Sequence, residues 1–209
     1  KDLVRQYSLC NDPANPSTYR IAILREVESR GGSAGVHERL HPGVVVRISR
    51  PRNFFPLQDS APASILMAGG IGITPMLAMA YRLHEARAPF ALHYSSRSRS
   101  RAAFVDELQT SAFAHSVSTY FDDASADGRL DVETLLGQSA AGTHLYCCGP
   151  KGFIDNVIGT AQRLGWPSDR IHVEHFAATP VLNGAPFEVI AARSGRTFHI
   201  PCDKTILQV

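Results

Sequence analysis

The chain has 209 residues, 44% of them hydrophobic and 19% charged, and carries a formal charge of +2. That is the profile of a soluble globular protein with one large core or two small ones. No apolar run approaches the roughly 18 residues that would cross a bilayer, and the scattered basic residues do not point to a nucleic-acid partner. The four cysteines (Cys10, Cys147, Cys148, Cys202) form no CxxC pair and no signal peptide is visible, which favours a reduced, cytoplasmic setting over a disulfide framework. A chain that starts at Lys1 and stops at Val209 in mid-strand reads as a piece of a longer polypeptide.

Arg5 to Leu9 opens the chain as a predicted strand, with Arg5, Tyr7 and Leu9 on one face and Gln6 and Ser8 on the other. A loop rich in Asn, Asp and Pro follows, then a second predicted strand over Tyr19 to Val27. Gly31, Gly32 and Ser33 precede a short helical pattern from Ala34 to Leu40 and make a possible phosphate site, with Arg5 a candidate for the charge. An ordinary loop and cap is the plain alternative. Val44 to Ile48 is a third predicted strand, and Arg50 to Leu57, with two prolines and no periodicity, is a connection. Residues 1–58 therefore read as part of a β-barrel, with a boundary near 59–63.

Ser64 to Leu83 changes the pattern. It predicts a buried strand (Ile65 to Ala68), a glycine turn (Gly69, Gly70, Gly72) and a helix entered at Thr74 and Pro75, Thr74 able to cap it and Pro75 suited to its first position. Such a turn can present backbone N–H groups and the positive helix end to a diphosphate, or it can be a tight connection and nothing more. Further strands are predicted at Ala91–Ser95, Val117–Phe121, Thr143–Cys148 and Ile171–Phe176, separated by helices at Ala102–Gln109, Val132–Leu136 and Phe153–Leu164. Alternating strands and helices over 59–176 predict a doubly wound parallel sheet, whose ligands collect at the carboxyl ends of the strands. Residues 177–185 read as a linker. Phe187–Ala192 and Thr197–Ile200 then form a predicted hairpin around Ser194-Gly195-Arg196, the start of a third unit over 186–209.

Six motifs agree in order and spacing with one family: RQYSL (Arg5 to Leu9), RGGS (Arg30 to Ser33), PRNFFPL (Pro51 to Leu57), AGGIGITPML (Ala68 to Leu77), YCCGP (Tyr146 to Pro150) and HVEHF (His172 to Phe176). The chain resembles the phthalate dioxygenase reductase and vanillate demethylase reductase group of the ferredoxin–NADP reductase superfamily. The resemblance implies a partial flavin-binding β-barrel, a nucleotide-binding α/β domain and the start of a plant-type [2Fe–2S] ferredoxin domain. It implies Arg5 on the flavin phosphate, Tyr7, Ser8 and Leu9 beside the ring, and Gly31, Gly32 and Ser33 on the same phosphate. The turn of Gly69, Gly70, Gly72, Thr74 and Pro75 would carry the nicotinamide cofactor's diphosphate. Cys148, Gly149 and Pro150 would line the nicotinamide pocket, with Phe176 against the flavin and Glu174 the nearest carboxylate. FMN is the flavin the likeness favours, FAD the alternative.

The implied function is hydride transfer from a nicotinamide cofactor to flavin and release of single electrons, through a [2Fe–2S] centre, to a Rieske-type aromatic oxygenase. The cofactors supply the chemistry, so Ser8, Cys148, Glu174 and Phe176 are expected to orient rather than to bond covalently. The C-x4-C-x2-C cluster ligands are absent, and Cys202 is not assigned to a cluster. NADH is favoured by the likeness. Ser96, Arg97 and Arg101 could instead clamp the 2′-phosphate of NADPH, and no acidic residue that would reject it is evident after Ser95. His172-x-Glu174-His175 suggests a metal superficially, but on a strand His175 points away from the other two. A stand-alone flavin or ferredoxin reductase, a dehydrogenase acting on a small substrate, and a non-catalytic nucleotide-binding module are the competing readings.

Overall fold

The computed structural model describes residues 4–15, 17–26, 31–123, 129–176, 185–202, 204 and 206. The chain divides into two compact units, Lys1–Phe176 and Ala177–Val209. The first is built on a five-stranded parallel sheet of order β3-β2-β1-β4-β5, with β1 Ser64–Gly69, β2 Phe90–Ser96, β3 Val117–Phe121, β4 His144–Cys148 and β5 Ile171–Glu174. Central β1 is buried at every position, as a strand between two parallel neighbours and two covered faces must be.

Alternation sorts the core into two layers. Leu66, Ala68, Leu92, Tyr94, Tyr146 and Cys148 pack with α2 (Ile73–Glu85) and α3 (Val105–Thr110), and with Cys10 and Phe55 from the chain ahead of the sheet. Ile65, Met67, Leu145 and Cys147 pack instead with α4 (Val132–Gly137) and α5 (Lys151–Arg163). Adjacent Cys147 and Cys148 thus serve opposite faces.

The expected helix at Ala102 begins three residues later than its pattern predicts. Tyr94 Oη takes the Ala103 N–H at 3.0 Å and Phe104 turns into the left-handed region at φ 63°, so the helical run can start only at Val105.

Ahead of the sheet the predicted strands are only partly realised. Residues 5–9 and 19–26 meet in one antiparallel bridge, Leu9 with Ile21, beside a Cys10 N–H to Arg20 carbonyl bond of 2.9 Å. Val27 and Arg30 lie outside the described residues. The Val44–Ile48 stretch is irregular and exposed, Val45 at 96%, with no ladder partner among the described residues. Its β-branched composition fits a strand, but a strand needs a neighbour to donate to. Helix α1 covers Gly32–Arg39.

Arg20 ties this segment to the sheet. Its guanidinium donates to both oxygens of Glu107, at 3.0 and 2.7 Å, and lies over the Phe104 ring at 5.1 Å, while Tyr81 Oη donates to Glu107 at 2.8 Å. Burial pushes the Glu107 carboxyl up, but those donors outweigh it and hold the group below its ordinary range.

In the second unit β6 (Phe187–Ile190) and β7 (Thr197–Ile200) form the expected hairpin, with Gly195 at φ 67° in its turn. The predicted linker lies outside the described residues except for Ala185.

Candidate functional site

The carboxyl ends of β1 and β4 lie side by side, Ala68 paired with Cys148, and their two turns touch backbone to backbone. A Cβ on Gly72 would run into the Cys148 carbonyl. One on Gly69 would meet the Phe153 ring at 2.9 Å and the Pro150 ring at 3.0 Å, and one on Gly149 would meet the Gly69 backbone at 3.0 Å. These three glycines exist for close packing. Gly70 differs: it sits at φ 53° with open space where a side chain would be, so it is the glycine at which a ligand can reach the backbone.

Thr74 does not cap α2. Gly72 holds that position, and the buried Thr74 hydroxyl donates to the Ile71 carbonyl at 3.0 Å, fixing the turn instead. Pro75 is the third residue of the helix, not the first, where its missing N–H would have had no intrahelical acceptor in any case.

Ser96, nearly buried, ends β2, and its carbonyl accepts the Asp122 N–H at 3.1 Å. The arginine run beyond it is divided. Arg99 is committed to α3, at 2.9 Å from Asp106 and 3.2 Å from Gln109, whereas Arg97 and Arg101 are exposed and without partners among the described residues.

From the segment ahead of the sheet, Ser8 reaches the end of β5: its hydroxyl donates to Glu174 Oε2 at 3.0 Å. Glu174 stands in register with Cys148. Burial pushes the Glu174 carboxyl up while the Ser8 bond pulls it down, with a net rise. Burial, then the Glu174 and Cys147 groups, push the Cys148 thiol far up, so Cys148 is a neutral, fully buried thiol and no nucleophile. Tyr7 and Leu9 are half-buried on the same segment, and Phe176 is 45% exposed just past β5. Pro150 is the N-cap of α5.

Arg5 lies against the start of α1, where any Cβ on Gly32 would strike its guanidinium. Gly31 occupies the N-cap at φ 84°, and Ser33 Oγ accepts the Glu26 N–H at 3.1 Å. The structure thus joins Arg5 to the Gly31–Ser33 turn, and Ser8 to Glu174 and Cys148. His172 and Glu174 share a face, and among the described residues no three His, Cys, Asp or Glu side chains group as a metal site.

Two features escape a reading of the sequence. One is the Arg20–Glu107–Tyr81 cluster, whose partners lie far apart in the chain. The other is a row on the Cys148 face, buried at Tyr146 and half-buried at its histidines: Tyr146 and His172 stack at 4.6 Å, and His144 Nδ1 lies 2.9 Å from His172 Nε2. The alternation His144-x-Tyr146-x-Cys148 beside His172-x-Glu174 was its only signal.

A parallel sheet of this order, a glycine turn at its centre and an Arg-x-Tyr-Ser segment reaching its carboxyl end define the ferredoxin-reductase-like class of flavin and nicotinamide-nucleotide binding folds. Residues 48–171 match the family model described as dimethylamine monooxygenase subunit DmmA-like, N-terminal domain, and the chain belongs to that family. It is 46% identical over 209 residues to the vanillate O-demethylase oxidoreductase of Pseudomonas sp. (strain HR199 / DSM 7063), covering 99% of this chain and 66% of that one. It is similar to the solved structure of phthalate dioxygenase reductase, titled a modular structure for electron transfer from pyridine nucleotides to [2Fe–2S], with TM-score 0.78, 38% identity and coverage of 98% and 64%. An intact type IV self-sufficient cytochrome P450 monooxygenase matches with TM-score 0.83 and 38% identity over 98% of this chain and 26% of that one. The chain therefore spans 64–66% of the length of the two reductases. The likeness to the vanillate and phthalate reductase group is borne out, as is the α/β fold class. No helix among the described residues is long and apolar enough to cross a membrane.

Proposed function

We propose that this chain is the flavin- and nicotinamide-binding part of a cytoplasmic electron-transfer reductase that supplies an oxygenase, of the Rieske type in the finer reading. FMN and NADH are the cofactors this reading favours, and residues 1–58 and 59–176 are the parts that meet them. One observation carries it: Ser8, from the segment ahead of the sheet, is hydrogen-bonded at 3.0 Å to Glu174 at the end of β5, in register with Cys148.

Two cradles support the assignment of cofactors. Arg5 beside the Gly31–Ser33 turn offers a cation and a helix N-terminus to the flavin phosphate. Gly70 offers open backbone beside α2 to the dinucleotide's diphosphate. A bound flavin accepts a hydride and gives up its electrons singly. The residues orient and insulate. Cys148 and Pro150 supply an apolar wall, and Phe176 a partly exposed ring that a nicotinamide would displace. Glu174, its carboxyl raised by burial against the opposing pull of the Ser8 bond, is held in one place by that bond. Arg97 and Arg101 keep NADPH as the alternative nucleotide. The cysteines here do not fit a [2Fe–2S] centre, since three are buried in the first unit and Cys202 stands alone in the second. In this reading the cluster is held by the longer protein.

The test is a visible spectrum of the full-length protein followed by anaerobic titration with NADH. Flavin absorption near ~450 nm, bleached by NADH, is the expected result. A colourless protein that neither NADH nor NADPH alters would refute the reading.

A further inference from the structure

Tyr146 is fully buried, and its polar and aromatic neighbours among the described residues come from two places, the connection ahead of the sheet and β5. Its Oη accepts the Gln58 N–H at 2.8 Å, and its ring meets Phe55 edge-on at 5.8 Å. Its other contact is His172 of β5, nearly parallel at 4.6 Å and 16°. His172 is in turn nearly coplanar with His144, at 10°, with 2.9 Å between their facing nitrogens. The row Phe55–Tyr146–His172–His144 therefore fastens the connection between the leading segment and the sheet onto β4 and β5. It does so one pair upstream of Cys148 and Glu174, on the same face, about 7 Å away at the rise of a strand.

We propose that Tyr146, held by the His172–His144 pair, is a positioning residue that sets how the leading segment, and with it Ser8, is aligned on the Cys148–Glu174 end of the sheet. The inference rests on the function proposed above, because it makes that alignment the approach of nicotinamide to flavin. Two imidazoles whose nitrogens face each other at 2.9 Å share a single hydrogen. The pair tolerates one added proton, but a second would place two N–H groups nose to nose. Four groups face the row among the described residues: His144 and His172 themselves, Asp169 in the turn before β5, and Asp59 beside the Tyr146 hydroxyl. Burial and His144 lower the proton affinity of His172 and Asp169 opposes them, with a net fall, so opening of the pair by a proton on His172 belongs on the acid side of the ordinary histidine value.

Tyr146→Phe keeps the ring and the fold and removes only the bond to Gln58. In the full-length protein it is expected to speed hydrogen exchange at the Gln58 amide at least about tenfold. It should also slow flavin reduction by NADH by about tenfold, leaving the NADH concentration for half-saturation within about twofold. His172→Gln is expected to abolish an acid-side fall in the reduction rate that the parent protein shows. Unchanged exchange at Gln58, or an unchanged rate and pH profile in both variants, would overturn the proposal. Absence of any reduction by NADH in the parent protein would refute the functional reading instead, and the Gln58 exchange would still decide the clamp.

Discussion

The two glycine turns of this chain look alike in sequence and are built for different tasks. At β1–α2 the glycines Gly69 and Gly72 are consumed by contact with the Cys148–Pro150 turn, leaving Gly70 alone of the three to face open space. At the start of α1 Gly32 lies under the Arg5 guanidinium, on a segment that has almost no regular structure and is fastened to the sheet by polar contacts from Ser8, Arg20 and Gln58. The first cradle is rigid because a parallel sheet positions it. The second carries charge but borrows its position. In the proposed function, a mobile nucleotide would use the first and a resident flavin the second.

Gly72→Ala should have the largest effect. Its Cβ meets a backbone carbonyl that cannot swing aside, so a loss of about 3 kcal/mol or more is expected in urea denaturation. A loss under about 1 kcal/mol would mean that the two turns are not locked together.

Arg5→Ala comes next. Loss of a charged donor should weaken flavin binding by roughly tenfold to a hundredfold with little change in folding stability, because Arg5 is exposed. Flavin fluorescence on dilution reports it, and retention equal to the parent would remove the second cradle.

The sheet also carries its own acid sensitivity. His93, hydrogen-bonded to Tyr120 Oη at 3.0 Å, is pushed by burial down to about 4. Its lowered value means that the stability it supports is complete above pH ~6.5 and is lost as pH falls toward about 4. His93→Gln should flatten the pH dependence of unfolding free energy over that window by up to about 3 kcal/mol. An unchanged slope would move the acid-sensitive step from the sheet to the polar anchors of the leading segment.

Much of the sheet was legible because its information is local. Val117–Phe121 reads as a strand from its own residues and is one, and the glycine turn follows its strand as the pattern requires. Val44–Ile48 shows the limit: β-branched residues favour an extended chain but do not supply a partner. Phe104 turns left-handed because Tyr94, ten positions back, holds its neighbour's N–H, and no propensity encodes that. The site was legible where motifs are contiguous, at Gly70 or Cys148. Resemblance named Ser8 and Glu174 separately, beside the flavin, but neither the bond between them, 166 residues apart, nor the bidentate grip of Arg20 on Glu107 was legible, because both join distant parts of the chain.

Separate calorimetric titrations of the flavin-stripped, full-length protein with FMN and with NADH test the division of labour most directly, using Arg5→Ala and Gly70→Ala. Gly70→Ala places a methyl in the open space and costs only about 1–2 kcal/mol of backbone strain. Arg5→Ala is predicted to weaken FMN by about tenfold or more and leave NADH within about twofold, and Gly70→Ala to do the reverse. Equal losses of both ligands in either variant, or no loss in both, would contradict the account.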